Sequence, residues 1–212
     1  MAKSKKSKSE PTLGKLEKRA KKWKARAKSL AEELMALTAP LTKKVIVSPL
    51  APKDGFPKLP QIAGVDFAAG QAGVRYKGRT DVMLALLAEG SVVAGTFTRS
   101  ATRSASVLDC QAKIGGKDGA NQGAAILVNS GNSNAFTGGR GTESVLALTT
   151  SVAAKTGVSA DRIFTASTGV IGEPLPHDRI EAKIDELHAN QSATAMEAAA
   201  RAIMTTDTFP KG

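Results

Sequence analysis

The 212-residue chain carries 30 Lys and Arg against 19 Asp and Glu, a formal net charge of +11. Residues 1–44 hold 14 of those bases and only four acids, so the basic character belongs to an N-terminal stretch and the remainder is close to neutral. A single cysteine, Cys110, excludes an intrachain disulfide or a Cys-rich metal site, two histidines argue against a His-built zinc centre, and no apolar run approaches the roughly 18 residues of a membrane span.

In chain order, "MAKSKKSKSEP" (1–11) is too polar to bury a core and is expected to be disordered. It lacks the apolar segment and small-residue cleavage site of a secretory signal, so a reducing cytoplasm is the expected setting. From Leu13 onward Leu16, Ala20, Trp23, Ala27, Leu30, Leu34 and Leu37 recur at alternating spacings of four and three, which lines one face of a helix that Pro40 should stop. A solvated basic extension over residues 1–44 is the first reading. A docking or RNA-touching arm is the second, although no interleaved aromatics offer base stacking.

The second region, 45–212, begins with the Pro-rich lead-in "VSPLAPKDGFPKLPQIAG" (47–64). Short β-type runs follow at 73–76, 81–88 and 91–98, with Glu89-Gly90 placed to turn a hairpin between the last two. "GAAILVNS" (123–130) reads as a buried strand that runs into the glycine-rich "GNSNAFTGGRG" (131–141). A helix is expected over 142–157, with Thr142 as N-cap and Gly157 as C-cap, then a strand over 161–167 and helices over 176–190 and 193–205. Strands alternating with helices give an α/β (mixed α+β) class, a layered sandwich with helices outside the sheets.

Three stretches could carry chemistry. The strand–glycine loop–helix unit at 123–157 lacks the third glycine of a dinucleotide fingerprint, and no GK[ST] occurs anywhere, so nucleotide binding is not supported. Asn129, Gly131, Asn132 and Asn134 suit a tight turn that hydrogen-bonds itself. Within "FTASTGVIGEPLP" (164–176), Ser167-Thr168-Gly169 admits two readings: a turn whose hydroxyl caps the following segment, or a hydroxyl and an open N–H offered to a developing oxyanion. At "IMTTDTFPKG" (203–212), Thr206 and Asp207 could be simple turn formers. His177 and His188 lie at opposite ends of one helical pattern, too far apart to share a ligand, and are expected at the surface.

Taken together, "ILVNSGNSNAFTG" (126–138), "ASTGVIGEPLP" (166–176) and "AIMTTDTFP" (202–210), with the lead-in at 47–100, resemble the ornithine acetyltransferase family, the bifunctional glutamate N-acetyltransferases of arginine biosynthesis. The resemblance covers about 45–212. It implies a precursor that cuts itself before a threonine, which becomes the nucleophile of a second chain. Acetyl would pass from N-acetylornithine to that threonine and on to glutamate, with acetyl-CoA as a further donor in some members, no cofactor and no metal. By the same resemblance Thr168 and Gly169 match the oxyanion-hole pair and Thr205 a substrate-binding position, while Asn129, Gly131 and Asn134 match the supporting loop. The implied partners are the second chain, in a heterotetramer of two first and two second chains, and the small-molecule substrates, with neither membrane nor nucleic acid.

The pattern departs from the family in one respect. No "KGxGM" or Ala-Thr-Met-Leu segment occurs before Gly212, so the nucleophile is absent from these residues. The resemblance therefore implies a truncated first chain holding half a site, inactive alone. Rival expectations are a non-catalytic interaction or RNA-binding fragment working through its basic helix, or an N-terminal-nucleophile peptidase sharing only the architecture.

Overall fold

The computed structural model describes residues 13–38, 47–114 and 122–211, in two compact units, Met1–Val45 and Ile46–Gly212. The first unit contains helix α1, Leu13–Thr38. Its sequence is dominated by Ala, Lys, Arg, Leu and Glu, the residues that lose least on entering a helix. Every residue from Glu17 to Lys28 is exposed. The expected disordered tail at 1–11 and the expected stop at Pro40 lie outside the described residues.

The second unit is a mixed α/β domain. Its strands are β1 Val65–Gly70, β2 Val82–Leu87, β3 Ala124–Asn132 and β4 Ile163–Val170. Its helices are α2 Ala105–Ile114, α3 Gly139–Thr156, α4 His177–Ala189 and α5 Met196–Ala202. The sheet runs β1-β2-β3-β4, antiparallel for the first two pairs and parallel for β3 with β4. A parallel pair needs a crossover, and α3 supplies it. Buried Val82, Leu84, Leu127 and Ile163 on the strands pack with Val152 of α3 and Ile180, Ile184 and Leu187 of α4 in one core.

The β3, α3, β4 and α4 expectations hold, and Gly157 closes α3 in the left-handed conformation, φ 75°, its N–H bonding the Ala153 carbonyl. The Pro-rich lead-in, 47–64, forms no helix or strand, as expected. Four expectations need correction. Residues 73–76 do not form a strand, because both Asp81 carboxylate oxygens accept backbone N–H bonds, from Ala72 at 2.7 Å and Val74 at 2.6 Å, which folds the segment into turns. Residues 91–98 form no strand and no hairpin with β2, since both edges of β2 are already taken by β1 and β3. Thr142 is not the N-cap: α3 starts at Gly139, after Gly138 turns with φ 56°. The last helix is shorter than 193–205, ending at Ala202.

Two of these strands and helices had not been expected. β1 is a short strand after the Pro-rich segment, and α2 begins behind Ser104, whose Oγ accepts the Val107 N–H at 3.4 Å and whose carbonyl accepts the Leu108 N–H. The Ser104 cap was the available signal.

Candidate active site

The site is built at the carboxyl ends of the parallel pair, the location where open α/β sheets present loops to ligands. Asn129, Ser130 and Gly131 of β3 stand in register with Ser167, Thr168 and Gly169 of β4. Gly131 and Gly169 have φ of 99° and 135°, a region that L side chains avoid. A Cβ on Gly169 would stand 2.3 Å from the Gly131 carbonyl carbon, and one on Gly131 would stand 3.0 Å from the Arg75 Cβ. The glycines therefore serve a close approach of three backbone segments.

The asparagines hold the surrounding loop. Ser167 Oγ donates to Asn129 Oδ1 at 2.7 Å, and Asn129 Nδ2 donates to the Asn132 carbonyl at 2.8 Å. Asn132 Nδ2 in turn donates to the carbonyls of Glu173 and Pro174, while its Oδ1 accepts the Asn134 N–H at 2.8 Å. Asn134, with φ 46°, donates from Nδ2 to the Gly141 carbonyl at 3.0 Å in the first turn of α3. All three asparagines are buried, so each of these bonds satisfies a polar group that would otherwise be costly.

A second tie brings the C-terminal segment to this place. Ser130, 1% exposed, donates from Oγ to the Ala202 carbonyl at 2.7 Å. That carbonyl ends α5 and lacks an intrahelical partner, so the bond caps the helix. Three residues later Thr205 reaches the cleft, its N–H bonded to Asp207 Oδ2 at 3.3 Å. Asp207 also pairs with Lys211. The Lys211 ammonium first, then the Thr205 N–H, hold the Asp207 carboxyl below its ordinary range.

The resulting cleft, about 300 Å³, is lined by Tyr76, Arg79, Gly131, Thr168, Gly169, Val170, Thr205 and Thr206. Thr168 is half-buried and its hydroxyl makes no hydrogen bond to any other described residue. Of the residues singled out from sequence, Thr168, Gly169, Gly131 and Thr205 thus share one wall-to-wall space. Asn129 lies buried beneath it and Asn134 sits by α3, both as supports of the backbone. Tyr76 and Arg79 were not anticipated: they come from the turn segment that precedes β2, and nothing local in the sequence announces that it meets β3. Arg75 beside them donates to Glu173 at 2.6 Å, and the Tyr76 side chain and then Glu173 raise its guanidinium above its ordinary value.

Other reactive groups lie outside the lining of this cleft. Burial pushes the Cys110 thiol up, and its Sγ donates to the Thr165 carbonyl at 3.4 Å. His177 and His188 are half-buried instead of at the surface, and His177 Nδ1 is bonded to Ser144 Oγ at 3.0 Å. Among the described residues no group of three His, Cys, Asp or Glu converges as a metal set would, and no helix is long and apolar enough to cross a membrane.

Known proteins similar to this chain fall in one family. A family model described as the ArgJ family matches residues 66–212. The arginine biosynthesis bifunctional protein ArgJ of Ruegeria pomeroyi is 65% identical over 173 residues, 81% of this chain and 41% of that protein. The Nitrobacter winogradskyi protein of the same name is 54% identical over 168 residues, 78% of this chain and 39% of its own length. Among solved structures, ornithine acetyltransferase from Mycobacterium tuberculosis, crystallised with ornithine, is 33% identical with a TM-score of 0.64, over 70% of this chain and 79% of that one. ArgJ from Bacillus halodurans is 31% identical with a TM-score of 0.62, over 69% of this chain and 74% of that one. The chain thus spans about two fifths of the length of the curated relatives it matches.

Proposed function

This chain belongs to the ArgJ family, and from that premise we propose that its second unit is the oxyanion-stabilising half of an N-acyltransferase site. The reaction is transfer of acetyl from N-acetylornithine to glutamate in arginine biosynthesis, with acetyl-CoA as an alternative donor and no cofactor. The observation that carries the reading is the gathering of Thr168, Gly169 and Thr205 around one cleft in a chain of this family.

The chemistry follows from what such donors do. A threonine hydroxyl supplied by the second chain attacks the acetyl carbonyl of N-acetylornithine. The carbonyl oxygen takes the electron pair, and the tetrahedral oxyanion collapses to an acetyl-threonine ester as the ornithine amine leaves with a proton. Glutamate's amine then attacks the ester through a second oxyanion at the same point, and the threonine is regenerated. The Thr168 hydroxyl and the Gly169 N–H donate to both oxyanions, each worth about 3–4 kcal/mol to the transition state. Thr205, which lines the same cleft, orients the substrate. Two first and two second chains assemble, in the cytoplasm, and residues 1–212 alone do not turn over.

The test is a chimera in which residues 47–212 replace the matching part of the Ruegeria pomeroyi relative. Transfer of labelled acetyl from N-acetylornithine to glutamate, with release of ornithine, supports the reading. A folded chimera that hydrolyses the donor without acetylating glutamate rejects it.

A further inference from the structure

The proposed transfer draws on residues of the second unit, whereas α1 belongs to the first. This helix has an unusual charge distribution. Between residues 18 and 31 lie seven Lys or Arg and no Asp or Glu. Ala20, Trp23, Ala27 and Leu30 fall at successive spacings of three and four, which places them on one face of a helix. Arg19 and Arg26 border that face on one side and Lys24 on the other, with Lys18, Lys21 and Lys22 opposite. Trp23 is 68% exposed and Leu30 49% exposed, so the apolar stripe is presented outward.

We infer that α1 is an interfacial anchor that lies along an anionic lipid surface, its Trp23–Leu30 stripe in the acyl boundary and its flanking cations at the headgroups. Charge and apolarity must both be satisfied by the occupant, and this decides among candidates. A second copy of the helix would cover the stripe but bring Arg19, Arg26 and Lys24 against like charges, which destabilises a coiled-coil pair. A nucleic-acid backbone would neutralise the cations and leave Leu30, Ala20 and Ala27 in water. An anionic bilayer surface takes up the stripe and the cations that border it at once: a basic polar face, an aromatic and a leucine on the other, and low overall hydrophobicity are what lie in the plane of an interface without spanning it. The arrangement concerns the first unit alone and is independent of the acetyl-transfer reading.

Trp23 is the single tryptophan of the chain, so its fluorescence reports on this helix and nothing else. The experiment mixes the full chain with phosphatidylcholine vesicles, with and without phosphatidylglycerol, and follows Trp23 emission together with co-sedimentation. The expected result is a blue shift and co-sedimentation with the phosphatidylglycerol vesicles only, reversed by high salt. Replacing Arg19, Lys24 and Arg26 with glutamate should lower the partition more than about a hundredfold. Leu30→Asp should lower it about tenfold or more. All four positions are exposed, and circular dichroism of each variant verifies that the helix persists. Equal behaviour with both kinds of vesicle, or co-sedimentation without a blue shift, overturns the proposal. So does salt-sensitive binding of single- or double-stranded RNA in preference to the anionic vesicles.

Discussion

Gly169 lies so close to Gly131 across the β3–β4 pair that a Cβ on Gly169 would stand 2.6 Å from both the Gly131 carbonyl oxygen and the Asn132 nitrogen. The obstacle is backbone in both cases, so no side-chain rotation relieves it. Gly169→Ala should therefore part the two strands and cost about 2–4 kcal/mol, combining overpacking with the strain of a positive φ. Gly131→Ala meets the Arg75 Cβ at 3.0 Å, at the base of a side chain on an irregular segment that can shift, and should cost less. Urea midpoints of the two variants check the order. A larger loss for Gly131→Ala would contradict it.

Ser130 joins the sheet to the end of α5 and so sets where Thr205 stands. Ser130→Ala removes the donor to the Ala202 carbonyl and leaves that buried acceptor unsatisfied, at about 1–3 kcal/mol. The loss should be local as well as global. Amide hydrogen exchange over residues 203–207 should quicken more than exchange in β1, and uniform quickening would point to general destabilisation alone.

Asp81 does the same for another part of the cleft lining. It is 3% exposed and accepts two backbone N–H bonds, which hold the turn segment that carries Tyr76 and Arg79. Asp81→Asn keeps the shape but leaves one acceptor where there were two, and each bond to an ionised group is worth about 1.5–3 kcal/mol. A stability loss of about that size, with new proteolytic cleavage within residues 71–80, is expected. Wild-type resistance to cleavage would contradict this role.

The acid limb of the Thr205 loop follows from Asp207. Its folded-state pKa is depressed, chiefly by Lys211, so its contribution is present above the ordinary carboxylate value and lost as pH falls through the folded one. The group is exposed and the effect is screened, so it should appear as local loosening and not as global unfolding. Hydrogen-exchange protection of the Thr205 amide should fall on acidification below the ordinary carboxylate range, and Asp207→Asn should abolish that dependence.

These residues also show which parts of the molecule were legible in the sequence. β3, α3 and β4 form a contiguous unit whose signals are local: a continuous apolar run in Ala124–Val128, the 3.6-residue period through Val145, Leu148 and Val152, and Gly157 at the helix end. Thr168 and Gly169 could be placed because they lie at the end of β4, the last element of that unit. The segment 73–76 could not, since its β-type letters are overruled by the bonds that Ala72 and Val74 make to Asp81, further along the chain. Residues 91–98 failed for a topological reason, the pairing of β2 with β1 and β3, which no window of sequence contains. Tyr76 and Arg79 enter the cleft only through that long-range arrangement.

The central claim concerns the hydroxyl of Thr168, and one comparison addresses it directly. In the chimera with the Ruegeria pomeroyi relative, acetyl transfer to glutamate is measured for Thr168, Thr168→Ser and Thr168→Ala, with the urea midpoint of each. The account predicts that Thr168→Ala lowers the turnover number about 10²–10³-fold at little cost in stability, while Thr168→Ser, which keeps the hydroxyl, retains most of it. Equal turnover numbers for Thr168 and Thr168→Ala would contradict the account and leave this threonine as a turn residue only.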